Sequence, residues 1–187
     1  MSLIEHLQTV RDFRTQPDYP LSVVLLLVVM GTMSGCTGYR PLADFVARHQ
    51  AELLTLLALP QQRLPSLSTR RRVMVRVDFK SFTAAFNAWA QVTFAPAPEE
   101  QLAMDGKSIK ASVSDYDQPY QAFVSVVSAF SVTQGVVVGL ETMRNQQTSD
   151  MQTVAVLLER LQLKGVCFSL DALHTQKNSG ANHPEWE

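Results

Sequence analysis

Hydrophobic and polar positions along this chain follow two rhythms, and the change falls near residue 95. Before it, apolar residues recur every third or fourth position, the spacing that lines one face of a helix. Leu3, Ile4 and Leu7 mark a short opening helix. Residues 21–30 are almost wholly apolar, which predicts a helix buried on all sides, opened by Pro20 and running to about Ser34. Gly35-Cys-Thr-Gly38 predicts a turn. Pro41 opens a third helix, with Leu42, Phe45, Val46, His49, Leu53, Leu56 and Leu57 near helical spacing, and Pro60 and Pro65 bracket a loop. Ser66 or Ser68 can cap a helix over residues 70–77. Asp78 can cap another over 79–90, where Phe79, Phe82, Phe86 and Trp89 share one face. The short join between the last two resembles a helix-turn-helix.

Ala95-Pro-Ala-Pro98-Glu-Glu then predicts a semi-extended linker. Beyond it the apolar residues alternate or run on, as in strands. Strands are expected over 101–109, 122–131, 135–141 and 166–170, with a helix over 151–161 capped by Asp150. Three antiparallel strands, a helix and a parallel fourth strand follow from that order. A right-handed crossover places the fourth strand beside the first. The expected class is therefore α+β: an all-α domain over residues 1–94, a linker at 95–100, a second domain over 101–177, and a polar tail at 178–187.

Composition narrows this picture only a little. With 46% hydrophobic and 18% charged residues in 187, the chain can bury a core. Residues 21–30 are too few to span a bilayer, which needs about 20 apolar residues. The N-terminus lacks the basic start and apolar run of a signal peptide, and Cys36 and Cys167 fit no metal spacing. A cytoplasmic protein with reduced thiols and no membrane partner is expected. Net charge is −1, so nothing global points to nucleic acid. The local exception is Arg70, Arg71, Arg72 and Arg76 on one predicted helix, a group that can reach DNA phosphates or simply form a solvated face.

The candidate chemistry lies with two carboxylates. Asp105 follows Leu102-Ala-Met and Asp171 follows Val166-Cys-Phe-Ser-Leu, both apolar stretches that read as strands. If the first and fourth strands are neighbours, the two acids meet and either share a proton or hold a cation such as Mg²⁺. An Asp after an apolar stretch is also a common turn former, especially Asp105-Gly106.

Ala103-Met-Asp-Gly-Lys-Ser108, Val124-Ser-Val-Val-Ser-Ala-Phe130 and Ser169-Leu-Asp-Ala-Leu-His-Thr-Gln-Lys177 resemble the H-repeat-associated family of bacterial insertion-sequence transposases. Arg11-Asp-Phe-Arg14, Tyr19-Pro-Leu21 and Pro65-Ser-Leu-Ser-Thr-Arg-Arg-Arg-Val73 are similar to that family's helical domain. The resemblance implies an RNase H-like catalytic fold and DNA cleavage and strand transfer by an Asp-Asp-Glu triad with Mg²⁺ or Mn²⁺. Asp105 then matches the first acid, Asp171 the second, and Lys107 a basic residue beside the first. In that pattern the third acid lies on a helix well downstream. Here the similarity stops near Lys177, and Glu185 and Glu187 follow Pro184 in a polar tail. The expectation is a truncated, inactive transposase partnered by DNA, by a second copy or by the full-length enzyme. The rival expectations are a non-enzymatic DNA-binding regulator and an inert gene remnant.

Overall fold

The computed structural model describes residues 2–114, 122–144 and 150–170, with backbone alone at 110–114, 122, 123, 144, 150 and 151. Two compact units divide it, Met1–Phe86 and Asn87–Glu187, and each has its own buried cluster.

In the first unit, α1 (Leu3–Leu7), α2 (Leu21–Met33), α3 (Tyr39–Arg48), α4 (Gln50–Leu57), α5 (Leu67–Arg76) and the start of α6 (Phe79–Thr93) follow in order. The all-apolar α2 lies at the centre against α1, α3 and α5, with Val24 and Leu27 fully buried. Each such side chain contributes roughly 1.5–3 kcal/mol relative to exposure. A helix apolar on every side needs neighbours on every side, and the other helices supply them. Where α3 crosses, Gly31 leaves room for Leu42; a Cβ there would collide with its Cδ1.

The caps expected before residues 70 and 79 form. Ser66 accepts from the Thr69 amide at 3.2 Å, and Asp78 accepts from the Ser81 amide at 3.3 Å. The single helix expected from Pro41 to Leu57 is instead two. It begins at Tyr39, because a proline near the first turn removes only an N–H that would have no helical partner. It breaks at His49, whose φ of −104° and ψ of 24° close α3 and open α4.

Among the described residues the second unit holds the end of α6 and a four-stranded sheet with a further helix packed on one face. Beyond α6 its elements are β1 (Gln101–Ser114), β2 (Ala122–Ser131), β3 (Val136–Arg144), α7 (Asp150–Leu161) and β4 (Cys167–Leu170). The order is β3-β2-β1-β4, with β1 antiparallel to β2, β2 antiparallel to β3, and β4 parallel to β1. The expected mixed sheet, with the fourth strand beside the first, is what forms. β1 runs five residues further than its apolar pattern suggested. Leu102, Met104, Val127 and Ala129 share one face and are buried with Val154, Leu157 and Leu161 of α7. Gly139 admits Leu161 to the sheet surface, where a Cβ would strike it.

Two buried polar residues fasten the unit. Asn87 donates to the Leu140 carbonyl at 2.8 Å and accepts from the Leu140 amide at 2.9 Å. Its carboxamide thus occupies a peptide position on β3, an edge strand among the described residues. Glu100, 6% exposed, accepts from Ser131 Oγ, from the Ala97 amide at 2.8 Å and from Gln134 Nε2 at 3.3 Å. The proline-spaced stretch before β1 is fastened by these bonds.

Candidate functional site

Asp105 lies inside β1, not at a turn: its neighbour Gly106 pairs with Val127, and the strand continues beyond both. Side chains alternate along a strand, so Ala103, Asp105, Lys107 and Ile109 share the face opposite Met104. Asp105 and Lys107 are both exposed, and neither has a hydrogen-bond or ion-pair partner among the described residues. Opposite them on β2 stand Ser128 and Val126. On its other side β1 pairs with β4 as far as Met104 with Leu170. Asp105 is therefore the first β1 residue past the described β1–β4 pairing.

Asp171, next in sequence after Leu170, lies outside the described residues, as do His174, Lys177, Glu185 and Glu187. The side chain of Asp150, expected to cap α7, lies outside them too. Among the described residues no group of three or more His, Cys, Asp or Glu side chains could hold a metal ion. The exposed, unpaired Asp105 carboxylate suits a hard divalent cation, which takes oxygen ligands and keeps some of its waters. The described residues bring one such carboxylate to this position.

The four arginines of α5 do not act as a patch. Arg70 is 3% exposed and donates from Nη1 to the Pro65 carbonyl at 2.7 Å, while its Nε has no partner. Burial lowers its pKa. Its expected role as a DNA contact is corrected here, since its guanidinium is spent on the interior of the first unit. Arg70 precedes Val73 by three and Val77 by seven, so it sits on the apolar seam of the helix, a signal legible in the sequence. Arg71 lies over the Tyr39 ring at 5.8 Å and Arg76 over the Phe13 ring at 5.0 Å. Arg71, Arg72 and Arg76 are exposed.

Known proteins resemble the chain in sequence. Residues 4–90 match the family described as DDE_Tnp_1-associated. Over 179 residues the chain is 26% identical to the "H repeat-associated putative transposase YhhI" of Escherichia coli K12, covering 94% of this chain and 46% of YhhI. Over most of its length the chain is thus similar in sequence to proteins named as H repeat-associated putative transposases. The "Putative transposase YncI" of the same strain is 27% identical over 95% of this chain and 71% of its own length. An "Uncharacterized protein in dhlA 3'region" of Xanthobacter autotrophicus is 26% identical over 85% of this chain and 52% of its own. The chain thus spans about half the length of YhhI. No solved structure matches it. Among the described residues, no helix is long and apolar enough to cross a membrane.

Proposed function

We propose that these residues form the helical domain and the opening strands of an RNase H-like catalytic domain in a metal-dependent DNA transposase acting in the bacterial cytoplasm. One observation carries the reading. β4 runs parallel beside β1 in register, Met104 with Leu170, and in sequence an acid follows each of these two residues. Were that pairing to continue by one residue, Asp171 would stand beside Asp105 on the face turned away from α7. Asp105 and Asp171 are then the residues that would hold Mg²⁺ or Mn²⁺, with Lys107 on the same face to meet a phosphate oxygen. When bound, the ion supplies Lewis acidity for phosphodiester cleavage.

Two carboxylates hold a cation loosely and leave its geometry incomplete, so these 187 residues alone bind metal weakly and do not turn over. DNA binding by the first unit, as a homodimer or beside a full-length transposase, needs no metal and does not depend on turnover.

The test is Mn²⁺ binding by electron paramagnetic resonance, run beside a strand-cleavage assay on duplexes carrying insertion-element ends. The expected result is weak Mn²⁺ binding that Asp105→Asn or Asp171→Asn removes, with no cleavage by the parent chain. Binding that survives both substitutions would sink the metal assignment. Cleavage abolished by Asp105→Asn would uphold the site and overturn the inactivity.

A further inference from the structure

A cleft of about 460 Å³ lies in the first unit, between α5 and the segment from Phe13 to Tyr19. That volume falls in the usual range for ligand sites, about 300–1,000 Å³. The α5 wall is made by Thr69, Arg72, Val73 and Arg76. Successive helix residues rotate by about 100°, so these four fall on one stripe while Arg71 points well away from it. Val73 is fully buried beneath, and Arg72 and Arg76 remain exposed at the rim.

The opposite wall is built rather than loose. Arg14 grips Asp12 with two hydrogen bonds, 2.9 and 2.8 Å, and donates a third to the Tyr19 carbonyl at 2.9 Å. Gln61 donates to the Asp18 carbonyl at 2.5 Å, and Tyr19 reaches the Leu64 carbonyl at 3.4 Å. Phe13 holds the Arg76 guanidinium over its ring, which fixes that cation at the cleft. Arg72 has no ion pair among the described residues. Arg14 is neutralised by Asp12, so the charges at the cleft are Arg72 and Arg76 against Asp18.

We propose that this cleft seats the sugar–phosphate backbone of a nucleic-acid strand, with Arg72 and Arg76 donating to phosphate oxygens. The inference rests on the DNA reading above and narrows it: two of the four α5 arginines carry the contact, and Arg70 and Arg71 do not. A preorganised rim of guanidinium forks suits phosphate, which accepts paired hydrogen bonds, and reads no base edges. Binding is therefore indifferent to sequence and strongly salt-dependent.

The experiment is a salt series of duplex affinity with the full chain and a labelled duplex of arbitrary sequence. Each lost phosphate contact flattens the log–log slope by about 0.9. Arg72→Ala/Arg76→Ala should flatten it by about 1.8 and weaken binding at low salt on the order of tenfold or more. Arg71→Ala should change the slope by less than half as much. Arg72→Lys/Arg76→Lys should recover most of the slope, which separates charge from folding. An unchanged slope in the alanine double variant, or an equal loss in Arg71→Ala, overturns the proposal. Inorganic phosphate is titrated in parallel. Phosphate binding that Arg72→Ala/Arg76→Ala removes while leaving duplex binding unchanged assigns the cleft to a free oxyanion and overturns the nucleic-acid part. Duplex affinity is read without divalent cation and Mn²⁺ binding is read separately, so failure of the metal site and failure of the cleft are told apart. A parent chain that binds no duplex at low salt defeats the DNA reading and this inference together.

Discussion

α5 and β1 each present candidate functional residues, and they sort them in opposite ways. On α5, arginines adjacent in sequence are sent to separate surroundings: Arg70 inward to Pro65, Arg71 onto Tyr39, and Arg72 into the cleft where Arg76 joins it. On β1, Asp105 and Lys107 are separated by a residue and still share a face. The difference is the backbone period, 3.6 against 2. A run of like charges on a helix is therefore poor evidence of a patch, whereas acids and bases two apart on a strand are good evidence of one.

The largest expected effect is at the core beneath β1. Leu157 is fully buried in α7 against the sheet, and Leu157→Ala should cost about 3 kcal/mol in cavity and lost transfer energy. Hydrogen exchange at the β2 and β3 amides reads it. Equal loss of protection in α2 would show that the two buried clusters unfold as one, and would break the comparison at its base.

Next comes the contrast within α5. Arg70→Ala should cost about 2 kcal/mol, because the Pro65 carbonyl loses a charged donor in a buried place. Arg71→Ala, on an exposed side chain, should stay within about 0.5 kcal/mol. Arg70→Met should fall between the two, since it keeps most of the stem and also removes the unpartnered Nε. Urea denaturation measures all three. Equal costs at 70 and 71 would mean that helix rotation does not decide the fate of these arginines.

Much of this arrangement was legible before any coordinates. Caps at Ser66 and Asp78 announced two helix starts because the side chain that stops one conformation also satisfies the next. The strand order followed from three strands, a helix and a strand, since connection rules leave few arrangements. Other features were hidden. Arg70 reads as surface because charge outweighs position in any local reading, although its spacing to Val73 places it on the seam. Asn87 and Glu100 gave no signal at all. Their partners, Leu140 and Ser131, are 53 and 31 residues away, and tertiary pairing at that range leaves no mark on local pattern. Asp105 lies in the expected strand, and the turn that Asp-Gly allowed does not form, because pairing on the β2 side holds Gly106 in the strand.

Asn87 offers a smaller and sharper test of the sheet. Asn87→Ala removes both bonds to Leu140 and leaves a peptide group of an edge strand unpaired, at a cost of about 1–2 kcal/mol. Exposed edges also recruit other strands. Analytical ultracentrifugation should therefore show more self-association in this variant than in Arg71→Ala, and an equal distribution would mean that Asn87 does not guard the edge.

The mildest effect concerns two carboxylates, one in each unit, with pKa values held below the ordinary range for different reasons. At Asp12 the leading cause is the hydrogen bonding from Arg14, a charged partner at a partly exposed site. At Glu100 it is the hydrogen bond from Ser131, helped by the Ala97 amide and Gln134, all neutral donors. A carboxylate whose folded pKa is depressed contributes stability that is present above its unfolded value, near 4.3 for Glu, and lost as pH falls through the folded value. Both groups thus work against unfolding at neutral pH and fail in acid. Salt separates them. Ions screen the Arg14 charge at Asp12 but have no charged partner to screen at Glu100. Carboxyl titrations followed by NMR at low and high salt should show the Asp12 value rising toward ordinary with salt and the Glu100 value holding. Glu100→Gln should remove the acid dependence of protection at the Ala97 amide, because a carboxamide does not titrate in this range. A Glu100 titration at or above the ordinary carboxylate value would show that these neutral donors do not stabilise the anion.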